Sequence, residues 1–428
     1  MGAKVVQRDG RIGYLSGENF LPKSSFGVNF LTVVVTTGGS SGFVIEVKRC
    51  FDDSIRKCFV SDEGLQTKKD FLKEVNRNTG LGNLTLLLKE SEYLEFLQDT
   101  IASYYRDCTT EGHNTDVLAA SRVGKAVEKD IWILSEACQI NEDGELIPQE
   151  EQEIMWISHL YKPKRGGNDP VWYDIAKPDH RCKINLPLSR SGLCNLVQAM
   201  RNAFGGNWLS SMFLLGQGMI GSNFQICLKA KGMVPISIAI GDKNVGKSGA
   251  SKGMLAVTGR RQVFYRRITD AMQTRVLDEC TLPFVLDDAG RSSEEKKKLT
   301  DLLLDIFNGA GVANCNRLCH SNTSLIITMN DWVLADLNID KAATSRAVII
   351  PFVKVQRNPV PEQVPYEKAL DDAMVEASNS VGEIIRFGKA LKNNQDYFDN
   401  DILPFLQEFI DDDRLLSTYS IALFAAEK

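Results

Sequence analysis

Stretches of branched and aromatic residues alternate along this chain with stripes of helical period, and their order predicts an α/β protein. Val28 to Thr37 is an almost continuous β run, broken by Gly38 to Gly42. Phe43 to Lys48 predicts a second strand and Lys57 to Ser61 a third. Helical spacing follows at Thr67 to Asn76 and at Glu90 to Asp107. The second helix sets Tyr93, Leu94, Phe96, Leu97, Ile101 and Tyr104 on one stripe, which reads as a core face. Met1 to Gly27, polar and glycine-containing, reads as a loose leader. Residues 1–125 are therefore expected to form a small α+β module.

The next part, 126–231, reads as a connecting region that becomes helical. Ile131 to Leu134 and Ile154 to His159 have strand character, and Glu150, Glu151 and Glu153 mark a solvated face. Pro163 to Asp169 predicts a loop and a candidate domain boundary; the basic Lys162, Lys164 and Arg165 around it could touch phosphates, though three such residues in a loop are usually just solvated. Ser191 to Phe204 and Trp208 to Lys231 predict two helices. The second is apolar between Ser210 and Cys227 and interrupted by Gly216, Gly218 and Gly221, so a buried, kinked helix against a sheet is expected. Beyond Phe352, Pro359, Pro361 and Pro365 make Arg357 to Tyr366 an extended linker. Glu367 to Asn393 and Asp401 to Glu427 are helical, with Ile384, Ile385, Phe387 and Leu391 on one face. A nucleotide lid and a plain structural cap are both open for 357–428, and Arg386 is a possible nucleotide-sensing arginine there.

One stretch carries distinct chemistry. Val234 to Ile240 is a short apolar strand, Gly241, Gly246, Lys247 and Ser248 fit G-x-x-x-x-G-K-[ST], and a helix follows from Ala250. Strand, glycine-rich turn and helix in that order predict a phosphate-binding loop made of Gly241, Asp242, Lys243, Asn244, Val245, Gly246, Lys247, Ser248 and Gly249. Glycine lets the backbone approach a phosphate, and the helix adds unpaired N–H groups and the positive end of its dipole. Lys247 is expected to reach the β- and γ-phosphates, and the Ser248 hydroxyl to hold Mg²⁺.

Three later segments fall in a meaningful order. Leu282 to Gly290 is an apolar strand ending in Asp287 and Asp288. Adjacent carboxylates repel without a cation, so the pair predicts a metal ligand (Asp287) and a residue that orients or polarises water (Asp288). Ser324 to Asn330 is another apolar strand, ending in an amide able to bond a γ-phosphate or its attacking water. Ala343 to Phe352 places Arg346 directly before a strand, where it could enter a neighbouring subunit's nucleotide as an arginine finger.

Composition narrows the class. The chain has 428 residues, 43% apolar and 25% charged, which suits a globular protein of two or three domains. The net charge of −5 does not indicate nucleic-acid binding by bulk charge and leaves a local basic surface open. Ten cysteines without C-x-x-C pairs, Cys315 and Cys319 being nearest and Cys182 close to His180, read as reduced thiols of an intracellular protein. No apolar window approaches the roughly 18 residues of a membrane span, and the first residues lack a secretory signal.

Gly246-Lys247-Ser248, Leu286-Asp287-Asp288-Ala289, Ile326-Ile327-Thr328-Met329-Asn330 and Ser345-Arg346 together resemble the superfamily-three helicases, a branch of the AAA+ ATPases. The pattern resembles that of the papillomavirus replicative helicase, and the region before the loop bears a fainter likeness to phage- and plasmid-borne helicase-like proteins. The resemblance spans about Gly232 to Phe352. It implies a P-loop NTPase motor of AAA+ type with a mostly parallel sheet in 232–356, preceded by the α+β module and followed by the helical C-terminal region. It also implies a basic-tipped hairpin in the central pore, here Asn308 to Thr323, where Arg317 and His320 replace the family's adjacent Lys-His. The implied function is a Mg²⁺-dependent ATPase assembled as a hexameric ring of identical subunits. It would move along single-stranded or forked DNA as a replicative helicase. Lys247, Asp287, Asp288, Asn330 and Arg346 would be catalytic, and Arg317 and His320 would contact the strand. The acidic net charge keeps a second reading open, a nucleotide-dependent P-loop switch or scaffold without translocation. A small-molecule kinase fits the order of motifs less well.

Overall fold

The structure, a computed structural model, describes residues 4–36, 41–111, 116–120, 123–126, 129–135, 137–156, 182–261, 263–266, 277, 280–290, 292–309, 311–314, 317–330, 341–355 and 360–428. They fall into two compact units: Met1–Ser121 with Gln152–Lys177, and Arg122–Glu151 with Pro178–Lys428. Residues 126–231 are thus not one connecting region. The part up to Glu151 belongs to the second unit, and the chain then returns to the first.

The first unit is α+β. Its five-stranded mixed sheet runs in the order Met155–Trp156, Asp116–Ala120, Phe26–Thr36, Ser41–Arg49, Ile55–Ser61. Helices Lys68–Thr79 and Glu90–Glu111 supply Phe71, Val75, Tyr93, Phe96 and Leu97 to its core. The expected loose leader is instead a three-stranded antiparallel ribbon, Lys4–Arg8, Arg11–Ser16 and Asn19–Pro22. Asp9 and Gly10 turn its first corner at φ 51° and 69°. That is the Asp-Gly geometry whose twist matches a hairpin. Val5 and Ile12 anchor the ribbon in the core. The expected loop Pro163 to Asp169, with Lys162, Lys164 and Arg165, lies outside the described residues.

In the second unit, β1 (Gly124–Lys125), β2 (Ile131–Ser135) and β3 (Cys138–Asn141) form a small antiparallel sheet. Helices α1 (Ser191–Phe204), α2 (Trp208–Ser222) and α3 (Phe224–Lys231) lead to the central strand β4 (Ile236–Ile240) and helix α4 (Lys247–Val257). Then come β5 (Phe264–Tyr265), β6 (Phe284–Leu286), α5 (Ser293–Phe307), the ribbon β7 (Gly311–Asn314) and β8 (Arg317–His320), β9 (Leu325–Met329) and β10 (Ala347–Pro351). Helices α6 (Val360–Glu376), α7 (Val381–Asn393) and α8 (Asp413–Glu427) close the unit. The five strands β5, β6, β9, β4 and β10 lie in that order and are all parallel. The strand order inserts β9 between the loop strand β4 and the carboxylate strand β6. Such a sheet is buried on both faces, which is why these strands read as unbroken apolar runs.

Helix α2 is buried on nearly every side from Leu214 to Ser222. The helix runs unbroken through its glycines, which let neighbours approach. A Cβ at Gly216 would lie 3.0 Å from the Ala425 carbonyl carbon, and one at Gly221 would lie 2.8 Å from Pro283 Cβ. The break comes at Asn223, whose side-chain amide donates to Met219 O and Ile384 O at 2.9 Å each. Gln217, fully buried, donates to Pro235 O (3.0 Å) and Ser324 Oγ (2.8 Å) and accepts from Ser237 Oγ (2.7 Å). A satisfied buried amide of this kind fixes the register of strands against helix.

The expected proline linker is helical from Val360. Pro361 occupies the second helical position, where an N–H has no intrahelical partner, and Pro365 forfeits a single bond near the start. Helix α8 covers the free edge of the sheet, where the Ile349 N–H donates to Tyr419 Oη at 3.0 Å. Arg386 pairs with Glu383 at 2.9 Å and donates to Asp143 O at 2.9 Å, on the loop after β3.

Because the Ala425 backbone cannot yield, Gly216→Val is expected to destabilise the protein by about 1–3 kcal/mol. Thermal or urea unfolding measures it, and an unchanged midpoint would show that the α2–α8 contact is loose.

Candidate functional site

The loop after β4 is shaped by backbone conformations that few residues tolerate. Gly241, Asn244 and Gly246 have φ of 143°, 63° and 107°. A Cβ at Gly241 would also strike the Phe352 carbonyl, so glycine is required there on two counts. Val245 is buried, while Asp242, Lys243 and Asn244 form the exposed rim. Lys247 opens α4 and is itself buried. Its Nζ donates back to the carbonyls of Gly241 (2.5 Å) and Asp242 (2.6 Å), so the ammonium lies inside the loop's curve.

The second half of the site comes from β6. The Ser248 hydroxyl, one residue into α4, donates to Asp287 Oδ1 at 2.8 Å. The same carboxylate oxygen accepts from Thr328 Oγ1 at 2.6 Å. Asp288 has φ 57°, a left-handed backbone rare outside glycine. Its N–H donates to Thr328 Oγ1 at 3.0 Å, and the next N–H, from Ala289, donates to Thr328 O at 3.0 Å. Asp288 faces Arg266, 3.9 Å away and largely exposed, a pairing worth little at a wet surface. Asn330 follows β9, whose Met329 is in register with Ile240. It therefore comes level with Gly241, half-buried, at the same C-terminal end of the sheet.

The loop Gly241–Gly249, Asp287, Asp288 and Asn330 are thus brought to one end of the sheet. The other expected residues are not. Ala347, the residue after Arg346, is in register with Ile236, so Arg346 stands at the N-terminal end. The four residue steps of β4 separate the two ends by on the order of 13 Å. The Arg346 guanidinium carbon lies 5.6 Å from the centre of the Phe307 ring, half-buried. The β7–β8 ribbon precedes β9 and so belongs to that end too. Both basic residues were expected at its tip. Arg317 does start the return strand, opposite Asn314, but His320 pairs with Gly311 at the base and is exposed. Four paired residues displace His320 from the turn.

Sequence reasoning missed three contributors. Thr328 lay within a recognised strand, but its bonds to Asp287 and Asp288 depend on β9 lying beside β6. Asn207, buried between α1 and α2, donates to Val245 O (3.1 Å) and Val353 O (2.8 Å) and accepts from the Val353 N–H (3.0 Å). It clasps the loop to the segment after β10. Phe204 underlies Gly246, where a Cβ would sit 3.0 Å from its ring. Asn207 follows Phe204-Gly205-Gly206 and looks like a plain turn residue, so nothing local signals its role.

The arrangement is suited to an anionic ligand with a divalent cation. A hydroxyl and a carboxylate in contact are oxygen donors of the kind Mg²⁺ prefers, since it takes few protein ligands and completes its shell with water and phosphate. Ser248 and Asp287 could hold it. Among the described residues no cluster of three His, Cys, Asp or Glu could hold a metal unaided. No described helix is long and apolar enough to cross a membrane.

No family model matches the chain, and no curated protein matches it. Solved structures do. The chain is similar over 100% of its length to 73% of a structure described as the active Cch helicase of SCCmec type IV, with a TM-score of 0.51 and 13% identity. It matches the apo C-terminal region of NrS-1 over 92% of this chain and 83% of that one, with a TM-score of 0.32 and 13% identity. It matches the JCV helicase over 55% and 71%, with a TM-score of 0.24 and 14% identity. The full-length likeness to the Cch structure shows a helicase-like fold.

Asn207→Ala removes three bonds, among them the one to the buried Val245 carbonyl. A loss of about 1–3 kcal/mol is expected in urea unfolding, and an unaltered midpoint would mean the clasp bears no weight.

Proposed function

We propose that this protein is a Mg²⁺-dependent ATPase that works as a ring and couples hydrolysis to movement along DNA, as a replicative helicase does. The observation that carries the reading is the contact between Ser248 and Asp287, 2.8 Å, at the C-terminal end of a parallel sheet and beside a left-handed glycine loop. The helicase-like fold is consistent with it.

In this reading the loop backbone and Lys247 bind the ATP phosphates. Ser248 and Asp287 hold Mg²⁺, whose contribution when bound is to neutralise charge on the β- and γ-phosphates. Asp288 orients the attacking water and accepts its proton. Asn330, level with Gly241, bonds the γ-phosphate or that water. Arg346 acts on the nucleotide of the neighbouring subunit, because the length of the sheet keeps it from its own loop. Arg317 and His320 face the nucleic-acid strand from the ribbon at the same end as Arg346. The geometry favours a composite site, with phosphate chemistry at one end of each subunit and the finger at the other.

The position of Arg346 generates a sharp test. Lys247→Ala and Arg346→Ala should each lose hydrolysis, the second by about 10³-fold or more with nucleotide binding retained. Mixing the two inactive proteins should restore part of the activity, since an intact loop can then meet an intact arginine across a subunit boundary. Full activity of Arg346→Ala, or no recovery on mixing, would remove Arg346 from the mechanism.

A further inference from the structure

Thr328 makes three bonds to three successive residues of the carboxylate segment. Its hydroxyl donates to Asp287 Oδ1 (2.6 Å) and accepts the Asp288 N–H (3.0 Å), and its carbonyl accepts the Ala289 N–H (3.0 Å). It is 1% exposed, so water cannot replace these partners. The strand carrying it lies between β4 and β6 and continues, two residues on, to Asn330.

The bonds act in different ways. The Thr328 hydroxyl has one hydrogen. Giving it to Asp287 Oδ1, which also takes the Ser248 hydroxyl, holds that carboxylate in one rotation. With its donor committed, the same oxygen can serve Asp288 only as acceptor, which aims that N–H at β9. The two N–H bonds secure the left-handed turn at Asp288, a conformation that persists only where its surroundings enforce it.

We propose that Thr328 is a positioning residue. It would orient the Asp287 carboxylate toward the cation shared with Ser248 and set the backbone that presents Asp288. It would also link both to the strand that ends in Asn330. A change at Asn330 would then reach the carboxylates through two residues of one strand. This inference rests on the ATPase reading of the site.

The test uses the full-length protein, a fluorescent non-hydrolysable ATP analogue, Mg²⁺ and steady-state hydrolysis. Thr328→Val keeps the shape of the side chain and removes the hydroxyl. Its Mg²⁺-dependent gain in analogue affinity should fall about 10-fold or more, and kcat should fall about 10–100-fold, as for residues that orient metal ligands. Analogue binding without Mg²⁺ should stay within about twofold of wild type, a split that general loosening would not produce. Thr328→Ser, which restores the hydroxyl, should recover both values to within about threefold. If Thr328→Val does not fold, Thr328→Ala is compared with Thr328→Ser by the same readouts. A hydroxyl-free variant that folds and keeps its Mg²⁺ response and kcat within twofold of wild type overturns the proposal. Lys247→Ala separates the two claims. If it binds the analogue as wild type does, the phosphate-loop reading fails, whatever Thr328 variants show.

Discussion

A single carboxylate oxygen, Asp287 Oδ1, accepts hydroxyls from two other segments, Ser248 on the loop helix and Thr328 on the neighbouring strand. Through it three strands of the parallel sheet share one point at their C-terminal ends. The contact is possible because β9 lies between β4 and β6 with its last residues in register with both. A one-residue slip would turn Thr328 to the other face of the sheet and leave the carboxylate unsupported. Burial specifies the register: all five residues of β9 are buried, and the Gln217–Ser237–Ser324 amide and hydroxyl network pins the other end.

The same sheet imposes a polarity. Parallel strands bring all their C-terminal ends, and the loops that leave them, to one side, and that end collects the glycine loop, both aspartates and Asn330. Arg346 and the β7–β8 ribbon stand at the other. The glycine loop with its carboxylates thus lies on one side of the sheet and the Arg346 cation on the opposite side. Under the proposed ATPase reading, this geometry is what assigns Arg346 to the site of a neighbouring copy. The clasp by Asn207 lies wholly at the C-terminal end, where it ties the loop to the segment that follows β10.

What was legible in the sequence was local. The loop strand, the glycines that need positive φ, the Asp pair after an apolar strand and the aromatic face of Glu90–Glu111 all announce themselves within a few residues. The failures were of two kinds. Some were local signals outweighed by composition: Asp9-Gly10 is a hairpin turn hidden in a polar leader, and the prolines near Val360 suit a helix start as well as a linker. Others were long-range bonds. Nothing around Asn207 or Thr328 discloses partners 38 or 41 residues away. Likewise, four paired residues in the ribbon, not sequence distance, decide that His320 lies at its base.

The measurement that bears most directly on the motor is ATP hydrolysis at low salt with and without single-stranded DNA, on wild type and on the Arg317→Ala/His320→Ala double variant. The account predicts that DNA stimulates wild-type hydrolysis and that the double variant keeps basal hydrolysis but loses the stimulation. Hydrolysis indifferent to DNA in both proteins would contradict it, and would leave a nucleotide-driven switch in place of a motor.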